Sequence, residues 1–81
     1  MQEIILYTTE HSSLCDAAID LLLSLPESRG RTLKTLDIAT DDKLMIEFGH
    51  RIPVIAVGDK ELDAPFDAEM LGQWLQNNAT C

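Results

Sequence analysis

Two four-residue runs, Ile4-Ile5-Leu6-Tyr7 and Val54-Ile55-Ala56-Val57, are apolar at every position. Successive residues of a strand point to opposite faces, so strands of this composition must be covered on both sides. A chain of 81 residues that sandwiches two such strands needs amphipathic helices on each face of one sheet. It has room for one domain, and a single α/β domain over residues 1–81 is expected.

The intervening segments supply those helices. Leu14, Ala17, Ala18, Leu21, Leu22 and Leu25 recur at helical spacing and predict one buried stripe. Pro26 ends that helix and Gly30 opens the next turn. Residues 32–38 mix Leu33, Leu36 and Ile38 with Lys34, Thr35 and Asp37, as an exposed edge strand does. Thr40 is placed to cap a short helix, with Asp41 and Asp42 in its first turn. Leu44, Met45 and Phe48 form the apolar face of that helix, and Gly49 closes it. Gly58-Asp59 is a two-residue hairpin turn into Lys60-Glu61-Leu62. Asp67 caps the last helix, Phe66 and Leu71 are spaced as a hydrophobic staple, and Met70, Leu71, Trp74 and Leu75 make its core stripe. The predicted order is β-α-β-α-β-β-α. The two apolar strands are central, the two mixed strands are edges, and the first crossover is right-handed.

Charge removes several classes of function. Six basic residues against 14 acidic ones give a net charge of −8, the wrong sign for phosphate neutralisation on nucleic acid or for an anionic membrane surface. The N-terminus has no basic segment followed by a long apolar run, so no export signal is expected. The richest apolar stretch, residues 17–25, is too short to span a bilayer and contains Asp20. A soluble, cytoplasmic monomer is the expectation.

Cys15 is the residue most suggestive of chemistry. It falls in the first turn of the first predicted helix, directly after a strand, where the positive end of the helix dipole favours a thiolate. Glu10 and Asp16 set negative charge beside it. A dithiol site at such a place reads C-x-x-C, but the position three before Cys15 is Ser12. Ser12 and Ser13 are also good helix caps, and Ser13 with Asp16 approximates a capping box. Buried free cysteines are common, so Cys15 reads equally as a small core residue.

With Leu14-Cys15-Asp16, Arg51-Ile52-Pro53-Val54 and Glu61-Leu62-Asp63-Ala64-Pro65-Phe66-Asp67 in this order, the chain resembles the small bacterial glutaredoxin-like proteins of the thioredoxin fold. The resemblance implies a four-stranded mixed sheet flanked by three helices. It also implies a cis peptide bond before Pro53, beside the active site. Ser12 and Cys15 would be the catalytic pair, and His11, Arg51, Ile52, Pro53, Val54 and Asp67 would meet the partner. In that family the first cysteine attacks a disulfide and the second resolves the mixed disulfide. Ser12 stands at the first position and Cys15 at the second, so at most monothiol chemistry at Cys15 is implied. True glutaredoxins hold glutathione with a Lys three residues before the first cysteine and with a Gly-Gly segment. Thr9 occupies the first of these positions and no Gly-Gly lies between residues 62 and 67. No cofactor is therefore expected, glutathione being the one the resemblance brings in.

Other pairings fail on geometry. The last helix spans about 11 residues, hence roughly 16 Å, and runs away from the site. Cys81 at its far end is out of reach of Cys15, because a disulfide needs Cα atoms within about 7 Å. His11 and Cys15 fall short of the four ligands of a structural zinc, so no metal is expected. Two readings remain. In one, Cys15 exchanges with a small thiol, a disulfide or a protein partner. In the other, the groove at Arg51-Ile52-Pro53-Val54 accepts an extended peptide by strand-type pairing. Arg51 would then recognise a substrate carboxylate, or else only offset neighbouring acids.

Overall fold

A computed structural model of the protein describes residues 3–10 and 12–78. His11 and Cys81, both weighed above, lie outside the described residues. The elements are β1 (Ile4–Thr8), α1 (Ser13–Ser24), β2 (Leu33–Asp37), α2 (Asp42–Phe48), β3 (Val54–Val57), β4 (Lys60–Asp63) and α3 (Ala68–Asn77). Short 3-10 turns at Pro26–Ser28 and Ile38–Thr40 follow α1 and β2.

The strands form one sheet in the order β2-β1-β3-β4. β1 and β2 are parallel, with Ile4 opposite Leu33 and Thr8 opposite Asp37. β3 is antiparallel to β1, with Tyr7 opposite Val54, and β4 is antiparallel to β3. The two all-apolar strands are central, as their composition requires. Gly58, at φ 62°, starts the two-residue turn between β3 and β4, a backbone that favours glycine.

Strand alternation divides the core. Ile4, Leu6, Ile55 and Val57 pack with Ala18 and Leu22 of α1 and with Leu71 and Leu75 of α3. On the opposite face Val54 packs with Ile38 and with Phe48 of α2. Phe66 and Leu71 both belong to the first cluster, as a staple requires. At the end of α1 the Ser28 hydroxyl donates to the carbonyls of Leu22 and Leu25, satisfying acceptors that a helix end leaves open.

Several local expectations need correction. Thr40 does not cap α2, because it belongs to the preceding 3-10 turn, where its hydroxyl donates to the Asp37 carbonyl at 2.8 Å. The cap is Asp41, whose Oδ1 accepts from the Lys43 N–H at 2.8 Å. Ile38 leaves the strand for that turn and becomes fully buried. Gly49 ends α2 with a right-handed backbone, φ −55°. A Cβ there would lie 2.5 Å from the Met45 carbonyl oxygen, so close approach rather than handedness favours glycine. Met45 and Met70, expected in the core, are exposed, as are Leu14 and Ala17 of α1. Each of these helices lies against one face of the sheet, and its apolar arc is wider than the contact.

Candidate functional site

The topology gathers the described members of the predicted site at one end of the sheet. β1 ends there and α1 begins there. β3 starts beside Tyr7, β4 ends beside Val54, and Asp67 opens α3 next. The chain therefore brings the Ser12–Cys15 turn, the segment before β3 and the segment after β4 to a common edge.

At the first of these, Ser12 is the N-cap of α1. Its Oγ accepts from the Cys15 N–H at 3.3 Å and its carbonyl accepts from the Asp16 N–H at 3.0 Å. Cys15 occupies the third helical position, is 1% exposed and is a free thiol. With Ala18 and Leu22 it forms the inward stripe of α1. The hydroxyl at Ser12 thus completes a helix end, and the sulfur at Cys15 faces the core.

The segment before β3 is braced by Phe48. The Phe48 ring stacks on Tyr7 with centroids 4.0 Å apart and planes at 14°, and the Arg51 guanidinium lies 5.0 Å over it. The Phe48 carbonyl accepts from both Arg51 N–H at 2.9 Å and Ile52 N–H at 3.1 Å. Pro53 has no N–H, and its carbonyl accepts from the Ala64 N–H at 3.1 Å. Ile52–Pro53 is a cis peptide bond, as is Ala64–Pro65 in the facing segment. The backbone N–H groups of residues 51 and 52 are thus bonded within the chain.

Arg51 is held by carboxylates. Nε and Nη2 donate to the two oxygens of Asp63 at 2.9 and 2.8 Å, Nη2 also to Glu61 at 2.6 Å, and Nη1 to Glu47 at 3.2 Å. The bidentate bond to Asp63, then the bond to Glu61, raises the Arg51 pKa above its ordinary value. The same Arg51 bond holds the Asp63 carboxyl below the usual range. Asp67 caps α3, with Oδ1 accepting from the Met70 N–H at 2.8 Å.

Beside these residues lies a groove of about 330 Å³. One wall is α1, through Leu14, Ala17, Ala18 and Leu21. The other is formed by His50, Arg51, Ile52 and Pro53, with Ala64, Pro65 and Phe66 completing the lining. Of the residues predicted for binding, Arg51, Ile52 and Pro53 line it. Val54 is fully buried in the sheet, and Ser12, Cys15 and Asp67 do not line it. Sequence reasoning assigned Leu14 and Ala17 to the core and missed this wall. The signal was present. At 100° per residue the apolar arc from Ala17 through Cys15 to Ile19 covers about 200°, twice the stripe a helix buries on one layer.

A second groove of about 330 Å³ opens between Thr8, Thr9, Glu10, Asp16, Ile19, Thr35 and Asp37. Among the described residues no group of three or more His, Cys, Asp and Glu side chains is placed to hold a metal, and no helix is long and apolar enough to cross a membrane.

A mixed four-stranded sheet with three helices, a cysteine in the first turn of α1 and a proline opening β3 defines the class as thioredoxin-like. The Glutaredoxin-like domain (DUF836) model matches residues 3–76, and the chain belongs to that family. The crystal structure of target protein XcR50 from X. campestris is 33% identical, with a TM-score of 0.79 over 91% of this chain and 96% of that one. Its solution structure aligns at 33% identity and a TM-score of 0.78, over 93% and 94% of the two chains. Protein Ne2328 from Nitrosomonas europaea is 25% identical, with a TM-score of 0.74 over 90% and 89%. No curated protein matches the chain.

Proposed function

We propose that this glutaredoxin-like protein works as a binding module, taking an apolar side chain of an extended partner segment into the groove between α1 and Pro53. The observation that carries this reading is the pairing of a buried sulfur with an open apolar groove. Cys15 is 1% exposed, whereas Leu14, a groove wall, is 67% exposed. An exposed apolar concavity of this kind is the usual mark of a recognition site.

Ser12 stands where the family's attacking cysteine stands, and a serine hydroxyl does not attack disulfides at neutral pH. Monothiol exchange at Cys15 requires its sulfur to reach a disulfide, and burial in the α1 stripe opposes that. The strand-type pairing mode is weakened as well, since the N–H groups of Arg51 and Ile52 already bond to Phe48. Recognition then rests on apolar side-chain contact, with the His50 and Arg51 side chains as polar groups on the wall. Arg51 acts as a positioning residue that ties the segment 50–53 to β4, not as a receptor for a free carboxylate. No cofactor or metal enters this reading. A monomer in the cytoplasm, where free thiols stay reduced, fits it.

The test is binding of a neutral, extended Leu-Val-Leu peptide with a neutral fluorophore, followed by fluorescence anisotropy. Ala17→Gln fills the groove from an exposed position and is expected to weaken binding about tenfold or more, the worth of one buried apolar side chain. Cys15→Ala is expected to leave affinity unchanged. Binding lost in Cys15→Ala and kept in Ala17→Gln overturns the proposal.

A further inference from the structure

Resting on that reading of the groove, we infer that the partner segment carries basic residues beside the apolar one, so that the protein selects cationic, extended stretches of another protein. The groove alone accepts any apolar side chain. The distribution of charge around it does not.

Arg51, on the groove wall, faces Glu47, Glu61 and Asp63. Three carboxylates against one guanidinium leave two formal negative charges at the rim, and all three acids are more exposed than the arginine they hold. The second groove gathers Asp16 and Asp37 where β1 and β2 end and α1 begins, which is the same end of the sheet. Asp67 adds another carboxylate there at the start of α3.

Four of the six basic residues lie elsewhere. Arg29 and Arg31 precede β2, whose first residue pairs with the first residue of β1 at the opposite end. Lys60 follows the hairpin turn at that same far end, paired with Val57. Lys34 pairs with Ile5 toward that far end as well, whereas Lys43, in the first turn of α2 just after β2 ends, lies toward the groove end beside Asp41 and Asp42. Among the described residues lining the groove, His50 is the one side chain apart from Arg51 that can carry a positive charge. Within a chain of net charge −8, this separation gives the groove end a negative field. Such a field attracts basic segments and discourages acidic ones. Charge complementarity with an apolar anchor excludes a polyanion and specifies a cationic amphipathic stretch.

The experiment compares three peptides with one Leu-Val-Leu core and a neutral fluorophore, flanked by two Lys, two Gln or two Glu. At low salt the Lys peptide is expected to bind more tightly than the Gln peptide by roughly two- to fivefold per lysine, and the Glu peptide more weakly by a similar factor. These ratios should shrink toward one at about 0.5 M salt, where screening reaches a few ångströms. The double variant Glu47→Gln, Glu61→Gln should narrow the Lys-to-Gln ratio at low salt. Ala17→Gln should weaken all three peptides. Equal affinity for the Lys and Gln peptides, with Ala17→Gln still weakening both, overturns the charge inference and leaves the groove reading standing. No binding by any peptide, or binding indifferent to Ala17→Gln, overturns the groove reading and this inference with it.

Discussion

Cys15 and Ser12 together show how one sulfur and one hydroxyl at a strand-to-helix turn serve packing and capping. Ser12 Oγ accepts from the Cys15 N–H, and Cys15 is buried with Ala18 and Leu22 on the inward stripe of α1. In a Cys81→Ser background, alkylation of Cys15 by iodoacetamide should therefore follow local opening. We expect a rate at least about 100-fold below that in denaturant, since opening that exposes a buried helix face costs about 3 kcal/mol or more. A rate near that of the denatured chain would place the thiol at the surface. Arg51 supplies a second prediction. The Asp63 carboxyl titrates near 3.9 in the unfolded chain and lower in the fold, because Arg51 binds its ionised form. A depressed native value means that its stabilising contribution is present above about pH 4 and is lost as pH falls through the native value. Asp63→Asn should flatten the fall in stability below about pH 4, a modest change because the pair is exposed to solvent. Urea unfolding of both proteins from pH 5 to pH 2.5 measures it, and identical slopes would remove Asp63 from the network. The sequence carried one of the three partners of Arg51. Glu47 precedes Arg51 by four residues and is a readable partner, whereas Glu61 and Asp63 reach it only through the pairing of β4 with β3.

Among the elements, α1 supplies one wall of the groove that we propose as the binding site. Its apolar residues divide into an inward stripe, Cys15, Ala18 and Leu22, and an outward wall, Leu14, Ala17 and Leu21. Leu22→Ala should cost about 2–5 kcal/mol, as buried leucines do. Leu14→Ala should cost under about 0.5 kcal/mol, because its side chain is already in water. Equilibrium unfolding distinguishes the two, and equal costs would restore the single buried stripe. Periodicity identified the helix correctly yet could not divide its faces, since Leu14 and Leu22 are chemically alike and only the sheet beneath selects between them. The same holds for Met45 and Met70, which follow the apolar spacing of their helices and remain exposed. The strands were more legible. Runs such as Ile4–Tyr7 and Val54–Val57 are apolar on both faces, which leaves no position for them except the middle of the sheet. The cap of α2 slipped by one residue because Thr40 had a competing local partner in Asp37.

For the molecule as a whole, sheet order and helix layers followed from which strands need cover on both faces, and the chain's convergence at one end followed from that order. The groove was not legible, because its walls come from α1, residues 50–53 and residues 64–66, which only the assembled sheet brings together. The family relation establishes a glutaredoxin-like fold over nearly the full length. At the convergent end an apolar groove is open while the sulfur is covered, and the binding role we propose for the fold rests on that contrast. Amide NMR of isotope-labelled protein, titrated with the neutral Leu-Val-Leu peptide, tests this most directly. The account predicts shifts centred on Leu14, Ala17, Ile52, Ala64 and Phe66, unchanged in pattern in Cys15→Ala. Shifts centred away from these residues, or a response that disappears with the Cys15 sulfur, would contradict it.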